Sequence, residues 1–313
     1  MEQLINIVFM GTPDFAVPTL EALHDSSDHI GMVVTQPDRP KGRGRKTVAP
    51  PVKQAASNFN YPVFQPDSIK TESAVKAVKN VSPDILVVVA FGQILPPPLL
   101  SLPRYGAVNV HASLLPRYRG PAPIQWAIIN GESRTGVTTM LMDRGMDTGD
   151  ILLTAETDIR TADTAATLHG RLARLGADLL LKTLHDMKAG TVHPTPQDHS
   201  LASYAPMLKK ADGRIDWQKS AVELDALVRG VTPWPGAFTF HRKKRLNILR
   251  AAPVRETHQA VPGTVIKGFP GELCIAAGNG VMRIHEIQSA SGRKMDIQDF
   301  LRGNPLPPGT VLG

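Results

Sequence analysis

Apolar and polar positions alternate in two regimes along this 313-residue chain. Residues 4–10 form an apolar run, interrupted only by Asn6 and rich in β-branched side chains, the pattern of a strand covered on both faces of a parallel sheet. The turn Gly11-Thr12-Pro13 follows, with proline near a first helical turn and apolar periodicity through Leu23. Residues 30–35 and 85–90 repeat the buried-strand pattern, and residues 106–111 and 135–142 extend the sheet. A long helix is predicted over 163–187, where Leu168, Leu172, Leu175, Leu179 and Leu180 share one stripe. Strands alternating with helices predict a doubly wound, mostly parallel, Rossmann-like α/β domain.

The rhythm changes after residue 189. Residues 190–206 carry three prolines and read as a linker. A short helix is predicted over 220–229. Brief β-prone segments follow at 237–241, 245–249, 263–267, 273–277 and 281–287, punctuated by glycine and proline. They predict a small all-β domain. The expected organisation is therefore 1–189, a linker at 190–206, and a β domain over 207–313.

Charge sharpens that division. Residues 1–205 hold 19 basic and 19 acidic side chains, and the remaining 16 basic and 9 acidic residues lie in 206–313. The whole net charge of +7 thus sits in the C-terminal third, as expected for a polyanionic partner. Cys274 is the only cysteine, which excludes an intrachain disulfide and a cysteine metal cage and reads as a small buried residue. The first apolar run is too short to span a bilayer, and Glu2 makes a poor signal-peptide start. A cytoplasmic protein without membrane association is expected. Gly11-Thr12-Pro13-Asp14 does not match the dinucleotide fingerprint, and no phosphate-binding loop motif is present.

The most chemical stretch is 106–120. Asn109 and His111 stand two apart on a predicted strand, so both side chains share a face. An amide and an imidazole there suit stabilisation of developing charge and proton movement. Ser113-Leu114-Leu115-Pro116 ends the strand. A glycine-rich acidic segment follows downstream, Asp143-Arg144-Gly145-Met146-Asp147-Thr148-Gly149-Asp150. Taken one at a time, a strand histidine is most often a core residue and an Asp in such a loop a turn former. Their joint appearance, in this order, favours a site at the end of the sheet.

The Asn-x-His strand, the Ser-Leu-Leu-Pro turn and the Asp147-Thr148-Gly149-Asp150 loop resemble the 10-formyltetrahydrofolate-dependent formyltransferases. The similarity extends to Gly11-Thr12-Pro13-Asp14-Phe15, Thr35-Gln36-Pro37-Asp38-Arg39-Pro40, Arg214-Ile215-Asp216-Trp217 and Pro233-Trp234-Pro235. One departure is Ala112, where the family usually has glycine. The resemblance implies 10-formyltetrahydrofolate as co-substrate, no metal, an OB-like barrel for the C-terminal domain, and the charged methionyl initiator tRNA as formyl acceptor. A monomer is expected.

Formyl transfer to an amine requires an oxyanion to be stabilised, the attacking ammonium to lose a proton and the folate nitrogen to gain one. Asn109 can donate to the oxyanion, and His111 can do the same or carry a proton, since imidazole changes charge near neutrality. Asp147 can orient His111 and accept the proton from the amine. Phe91, Gly92 and Ile94 follow a buried strand and, by the resemblance, line the pterin pocket with Asp143. Ser113, Leu114, Leu115 and Pro116 border the same folate, with a cis bond before Pro116 as one option.

Five bases fall within eight residues at Arg39, Lys41, Arg43, Arg45 and Lys46, separated by glycine and proline. This segment is read as an arm for the tRNA acceptor stem, and the resemblance implies tRNA contact here with Arg43 as the key side chain. A plain solvated loop is the alternative. Lys209 and Lys210, and the predicted turn Arg242, Lys243, Lys244 and Arg245, can also track phosphates, with a plain solvated turn as the alternative reading. Competing readings are a formyltransferase for a small amine such as an amino-sugar nucleotide, a folate-dependent hydrolase, and a non-catalytic nucleic-acid-binding module.

Overall fold

The computed structural model describes residues 4–41, 46–290 and 292–313. In chain order, β1 (Asn6–Gly11), α1 (Val17–His24), β2 (His29–Val34) and the short β3 (Arg39–Lys41) and β4 (Lys46–Val48) come first. Then follow α2 (Pro51–Asn58), β5 (Val63–Phe64), α3 (Glu72–Asn80), β6 (Ile85–Val89), α4 (Pro97–Leu100) and β7 (Ala107–His111). Next are α5 (Pro123–Ile129), β8 (Arg134–Leu141), β9 (Ile151–Asp158) and the 25-residue α6 (Ala165–Ala189). The remainder holds α7 (Ala221–Gly230), β10 (Ala237–His241), β11 (Lys244–Val254), β12 (Val265–Ile266), β13 (Leu273–Ala276), β14 (Val281–Ser289), β15 (Met295–Asp296) and α8 (Ile297–Gly303).

By packing, the chain forms two compact units that interleave in sequence. The first contains Met1–Gly120, Arg134–Thr157 and His169–Ala205; the second contains Pro121–Ser133, Asp158–Leu168 and Pro206–Gly313. Residues of the proline-containing stretch after α6 are bonded into the first unit: Thr195 bridges Ile151, and Tyr204 bridges Arg119.

The first unit is built on a seven-stranded sheet in the order β5-β2-β1-β6-β7-β8-β9. β1 pairs in parallel with β2 and β6, and β6 with β7, as the largely apolar runs predict. Every position of β6 and β7 is buried, which requires cover on both faces. The chain winds outward from β1 to β2 and β5, then returns to β6 on the other side, so the order reverses between β1 and β6. That switch opens a crevice at the carboxyl ends of these strands. Three loops meet there: Thr12 Oγ1 donates to the Phe91 carbonyl at 2.9 Å, and Gln36 Nε2 donates to the same oxygen at 3.3 Å.

β8 runs antiparallel to β7, with His111 opposite Thr138 and Asn109 opposite Met140. The sheet is therefore mixed at this side. The sequence pattern assigns no element to β9. It is a half-exposed strand whose outward Glu156 and Asp158 have little strand preference, so pairing in the sheet decides it.

The basic segment after β2 differs from the irregular loop expected. β3 and β4 pair antiparallel, Arg39 opposite Val48 and Lys41 opposite Lys46. The ribbon is rooted at Asp38, which accepts from Gln65 Nε2 at 2.7 Å and Lys53 Nζ at 2.8 Å. The Gln65 hydrogen bond first, and Lys53 second, hold the Asp38 carboxyl below its ordinary range. Arg43 and Arg45 lie outside the described residues.

The second unit carries an antiparallel six-stranded sheet in the order β10-β11-β14-β13-β12, with β15 beside β14. Register shifts between Ile248 and Ala251 bend β11 where it pairs with β14, the device that curls a small OB-like sheet. β11 runs on to Val254 through two alanines and a proline, beyond the strand predicted at 245–249, because pairing overrides propensity. Ser220 caps α7 in a reciprocal box with Glu223, which fixes where that helix starts. Cys274 is buried in β13, and burial pushes its thiol upward. Among the described residues no helix is long and apolar enough to cross a membrane.

Lys188 in the last turn of α6 meets both carboxylate oxygens of Asp28 at 3.1 Å, with side-chain exposures of 7% and 4%. Asp28 also accepts from the Ile5 amide at 3.2 Å, just ahead of β1. Removing one partner leaves the other charge buried. Lys188→Met should lower the unfolding free energy of the first unit by about 3–5 kcal/mol. Lys188→Met combined with Asp28→Leu should recover much of it. Urea unfolding midpoints of the two variants test this; a single variant as stable as the parent would reject the pair as a structural tie.

Candidate active site

Asn109 and His111 project from the same face of β7, and both are largely buried. The His111 ring is committed at one nitrogen: its Nε2 lies 3.0 Å from the Tyr118 carbonyl oxygen. A carbonyl only accepts, so Nε2 carries a hydrogen and donates it. The other nitrogen, Nδ1, faces Asp147 Oδ2 at 3.7 Å. That is too long for a direct hydrogen bond and short enough for an ion pair or for a shared proton carrier between them. Asn109 is the complement of this. Among the described residues its side-chain amide makes no hydrogen bond, an uncommon state for an amide that is only 9% exposed.

Asp147 reaches the site from the far end of β7. Because β8 is antiparallel, the loop after it begins beside Ala107, at the opposite end of β7 from His111; the Met142 amide donates to the Ala107 carbonyl at 2.8 Å. The loop closes on itself through Leu141 N–H to the Asp150 carbonyl, 2.9 Å, and folds back along the strand. Gly149 makes this closure feasible, since a β-carbon there would stand 1.7 Å from the Leu141 oxygen. Asp143 is consumed within the loop, accepting from the Gly145 amide at 2.9 Å and from Thr148 Oγ1 at 2.7 Å. Asp147 sits at φ +54°, a left-handed geometry unusual for a non-glycine residue. Its Oδ2 accepts from the Gly120 amide at 2.8 Å.

The segment after β7 holds both members of the pair. Ser113 Oγ donates to the Arg117 carbonyl at 2.6 Å, and Thr138 Oγ1 donates to the Ser113 carbonyl at 2.7 Å while accepting from the Leu115 amide at 3.1 Å. The Leu115–Pro116 peptide is cis. Ser113 is fully buried, Leu115 is buried, and Leu114 and Pro116 are half-exposed. Tyr118, at φ +60°, turns its carbonyl onto His111. Ala112 keeps a negative φ and is buried, so the methyl group in place of the usual glycine fits the backbone.

Of the residues read as lining the folate, Phe91 has its ring in the core and presents its carbonyl to Thr12 and Gln36, whereas Gly92 and Ile94 are exposed, Ile94 at 63%. Among the basic residues, Arg39 Nη2 donates to Gln36 Oε1 at 3.1 Å. Lys209 and Lys210 are exposed. Arg242 and Lys243 form the two-residue turn between β10 and β11, both with positive φ, and they and Lys244 are exposed. Arg245 is engaged instead: Nε donates to Asn247 Oδ1 at 2.8 Å and the guanidinium lies 3.8 Å from the Phe238 ring centroid.

Sequence reasoning missed four partners that hold the site together: Thr138, Tyr118, Gly120 and Gln197. Gln197 is 6% exposed in an otherwise mostly exposed segment and donates to the carbonyls of Asp147 and Gly149 at 2.9 and 2.7 Å. Tyr118 and Gly120 act through backbone groups, which no side-chain pattern advertises. Gln197 lies in a proline-containing stretch whose composition reads as linker.

Residues 5–184 match the formyl transferase family, and residues 207–305 match the formyl transferase C-terminal domain. The methionyl-tRNA formyltransferase of Syntrophus aciditrophicus is 50% identical over 99% of this chain and 99% of its own length. That of Pelotomaculum thermopropionicum is 49% identical over the same shares. Among solved structures, an N-formyltransferase from Helicobacter canadensis in complex with folinic acid and dTDP-3-aminofucose superposes with a TM-score of 0.65 at 18% identity, covering 94% of this chain and 100% of that one. HypX from Aquifex aeolicus in complex with tetrahydrofolic acid gives a TM-score of 0.61 at 18% identity over 96% of this chain; this chain spans about half of HypX, 47%. The two solved structures share the fold. With about half its residues identical to those relatives end to end, and both formyl transferase domains matched in order, this chain belongs to the methionyl-tRNA formyltransferase family.

Proposed function

We propose that this protein transfers the formyl group of 10-formyltetrahydrofolate to the free amino group of methionyl initiator tRNA. The observation that carries the reading is the convergence of a buried amide unpartnered among the described residues, an imidazole with only Nδ1 uncommitted, and a carboxylate beside it. The relatives named for methionyl-tRNA, matched over their full length, support that acceptor over a small amine.

The folate fits the surroundings. A flat heterocycle needs apolar walls and backbone hydrogen-bonding groups, and the crevice at the β1–β6 switch has exposed Ile94 and the loop backbone at Gly92. In the reaction the amine nitrogen bonds to the formyl carbon and the bond from that carbon to the folate nitrogen breaks. Asn109 donates its amide hydrogen to the formyl oxygen as that oxygen gains charge. Nothing else among the described residues competes for this donor. Asp147 takes the proton that the attacking ammonium must lose. His111 Nδ1, bare in this tautomer and facing Asp147, receives that proton and passes it to the departing nitrogen. The Tyr118 carbonyl keeps the ring from rotating away from this task.

The chemistry is assigned to residues 1–189 and tRNA contact to the basic part, 207–313, together with the ribbon of β3 and β4. Electrostatic attraction to phosphate explains why the charge excess is confined to one end of the chain.

Asn109→Ala and His111→Ala should each lower kcat by about 100-fold or more with an unchanged thermal midpoint. Turnover near the parent value in either purified variant would sink its assignment. A separate expectation concerns the acceptor. Neutralising Arg242, Lys243 and Lys244, or Arg43 alone, should lower kcat/KM for tRNA and make the log–log salt slope shallower by about one per lost phosphate contact. Folate KM should not move. Identical salt curves for parent and variant would reject the altered residues as tRNA contacts.

A further inference from the structure

Gln197 is the best-connected side chain near the site that the chemistry above does not use. Its amide is satisfied at both ends. Nε2 donates to the Asp147 carbonyl at 2.9 Å and to the Gly149 carbonyl at 2.7 Å. Oε1 accepts from Arg119 Nε at 3.1 Å and Nη2 at 2.6 Å. Two carbonyls on one side and a guanidinium on the other leave a single orientation for the amide. The Gln197 side chain therefore ties the Asp147 loop to Arg119.

Arg119 lies between the two residues whose backbones hold the pair. Tyr118 supplies the carbonyl that fixes His111 Nε2, and Gly120 supplies the amide that fixes Asp147 Oδ2. The main chain of Arg119 is itself pinned: its amide donates to the Ser203 carbonyl at 2.9 Å and its carbonyl accepts from the Ala205 amide at 2.7 Å. The Tyr118 amide donates to Ser203 Oγ at 2.9 Å. Arg119 Nη2 also donates to His199 Nδ1 at 3.0 Å. Residues 197–205 thus run as a strap across both arms of the site.

Asp147 and Tyr118 both occupy left-handed backbone geometry. Such residues persist only where their surroundings over-determine them. The two Gln197 donations fall on the carbonyls of Asp147 and of the residue two further on, which is where a peptide flip would release the turn. Resting on the functional reading above, we infer that Gln197 is a positioning residue: it locks the Asp147 loop onto the Tyr118–Gly120 segment and so sets the spacing between Asp147 and His111.

The test uses the full chain with Gln197→Ala and Gln197→Glu. Glutamate keeps an acceptor for Arg119 and loses both donations to the carbonyls, so it separates the clamp from a simple Arg119 ion pair. Both variants should keep the parent thermal midpoint within a few degrees, lower kcat on the order of 10- to 100-fold, and leave folate KM within about twofold. The Gly120 amide, which donates to Asp147, should exchange with deuterium about tenfold faster in both. In an Asp147→Asn background, Gln197→Ala should cost less than about twofold in the residual rate, because the group it positions is already gone. Parent-like kcat in the alanine variant, rescue by glutamate, an equal loss in the Asp147→Asn background, or unchanged Gly120 exchange would each overturn the inference. Should the parent transfer no formyl group to methionyl-tRNA, the functional reading fails, and Gly120 exchange in the variants still decides whether the clamp exists.

Discussion

A single hydrogen bond, from His111 Nε2 to the Tyr118 carbonyl, organises the site. It selects the ring tautomer and leaves Nδ1 as the working nitrogen, turned toward Asp147. Its acceptor exists only because Tyr118 takes a left-handed backbone geometry. That geometry in turn depends on the compact turn at 113–117, held by Thr138 from the neighbouring strand. The position of one imidazole proton is thus fixed by the pairing of β7 with β8.

Asp147 shows why a two-part site of this kind needs a long loop. The antiparallel turn into β8 carries the chain away from His111, and only a closed loop folding back along β7 returns a carboxylate to it. The loop spends Asp143 and Thr148 on its own shape and relies on Gly149 for closure. The Gly120 amide then receives Asp147. Few of the acidic residues in this segment are thereby free for chemistry, and Asp147 is the one aimed at the imidazole.

The buried strands of the first unit are legible in the sequence because their apolar runs are nearly continuous, and the spacing of Asn109 and His111 gives their common face through the period of a strand. The direction of β8 is not legible: 135–142 reads as a strand whichever way it runs, so the approach of Asp147 emerges only from the register. The ribbon of β3 and β4 is hidden because glycine, proline and repeated charges argue against regular structure, while its anchorage at Asp38, Lys53 and Gln65 is long-range. The part played by residues 197–205 is hidden for a similar reason. Its bonds run largely to backbone atoms of segments some 50 to 85 residues away. Composition says only that the surrounding 190–206 carries three prolines and reads as a linker.

The tautomer of His111 offers the most direct measurement. Two-bond proton–nitrogen correlation spectra of the protein labelled with 15N-histidine distinguish a ring bearing its hydrogen on Nε2 from one bearing it on Nδ1. The expected His111 signal is that of a ring protonated at Nε2, lost when the 113–120 segment is disrupted by Thr138→Val. A parent ring carrying its only proton on Nδ1, with Nε2 bare, would contradict the Tyr118 anchor and with it the proposed division of labour between Asn109, His111 and Asp147.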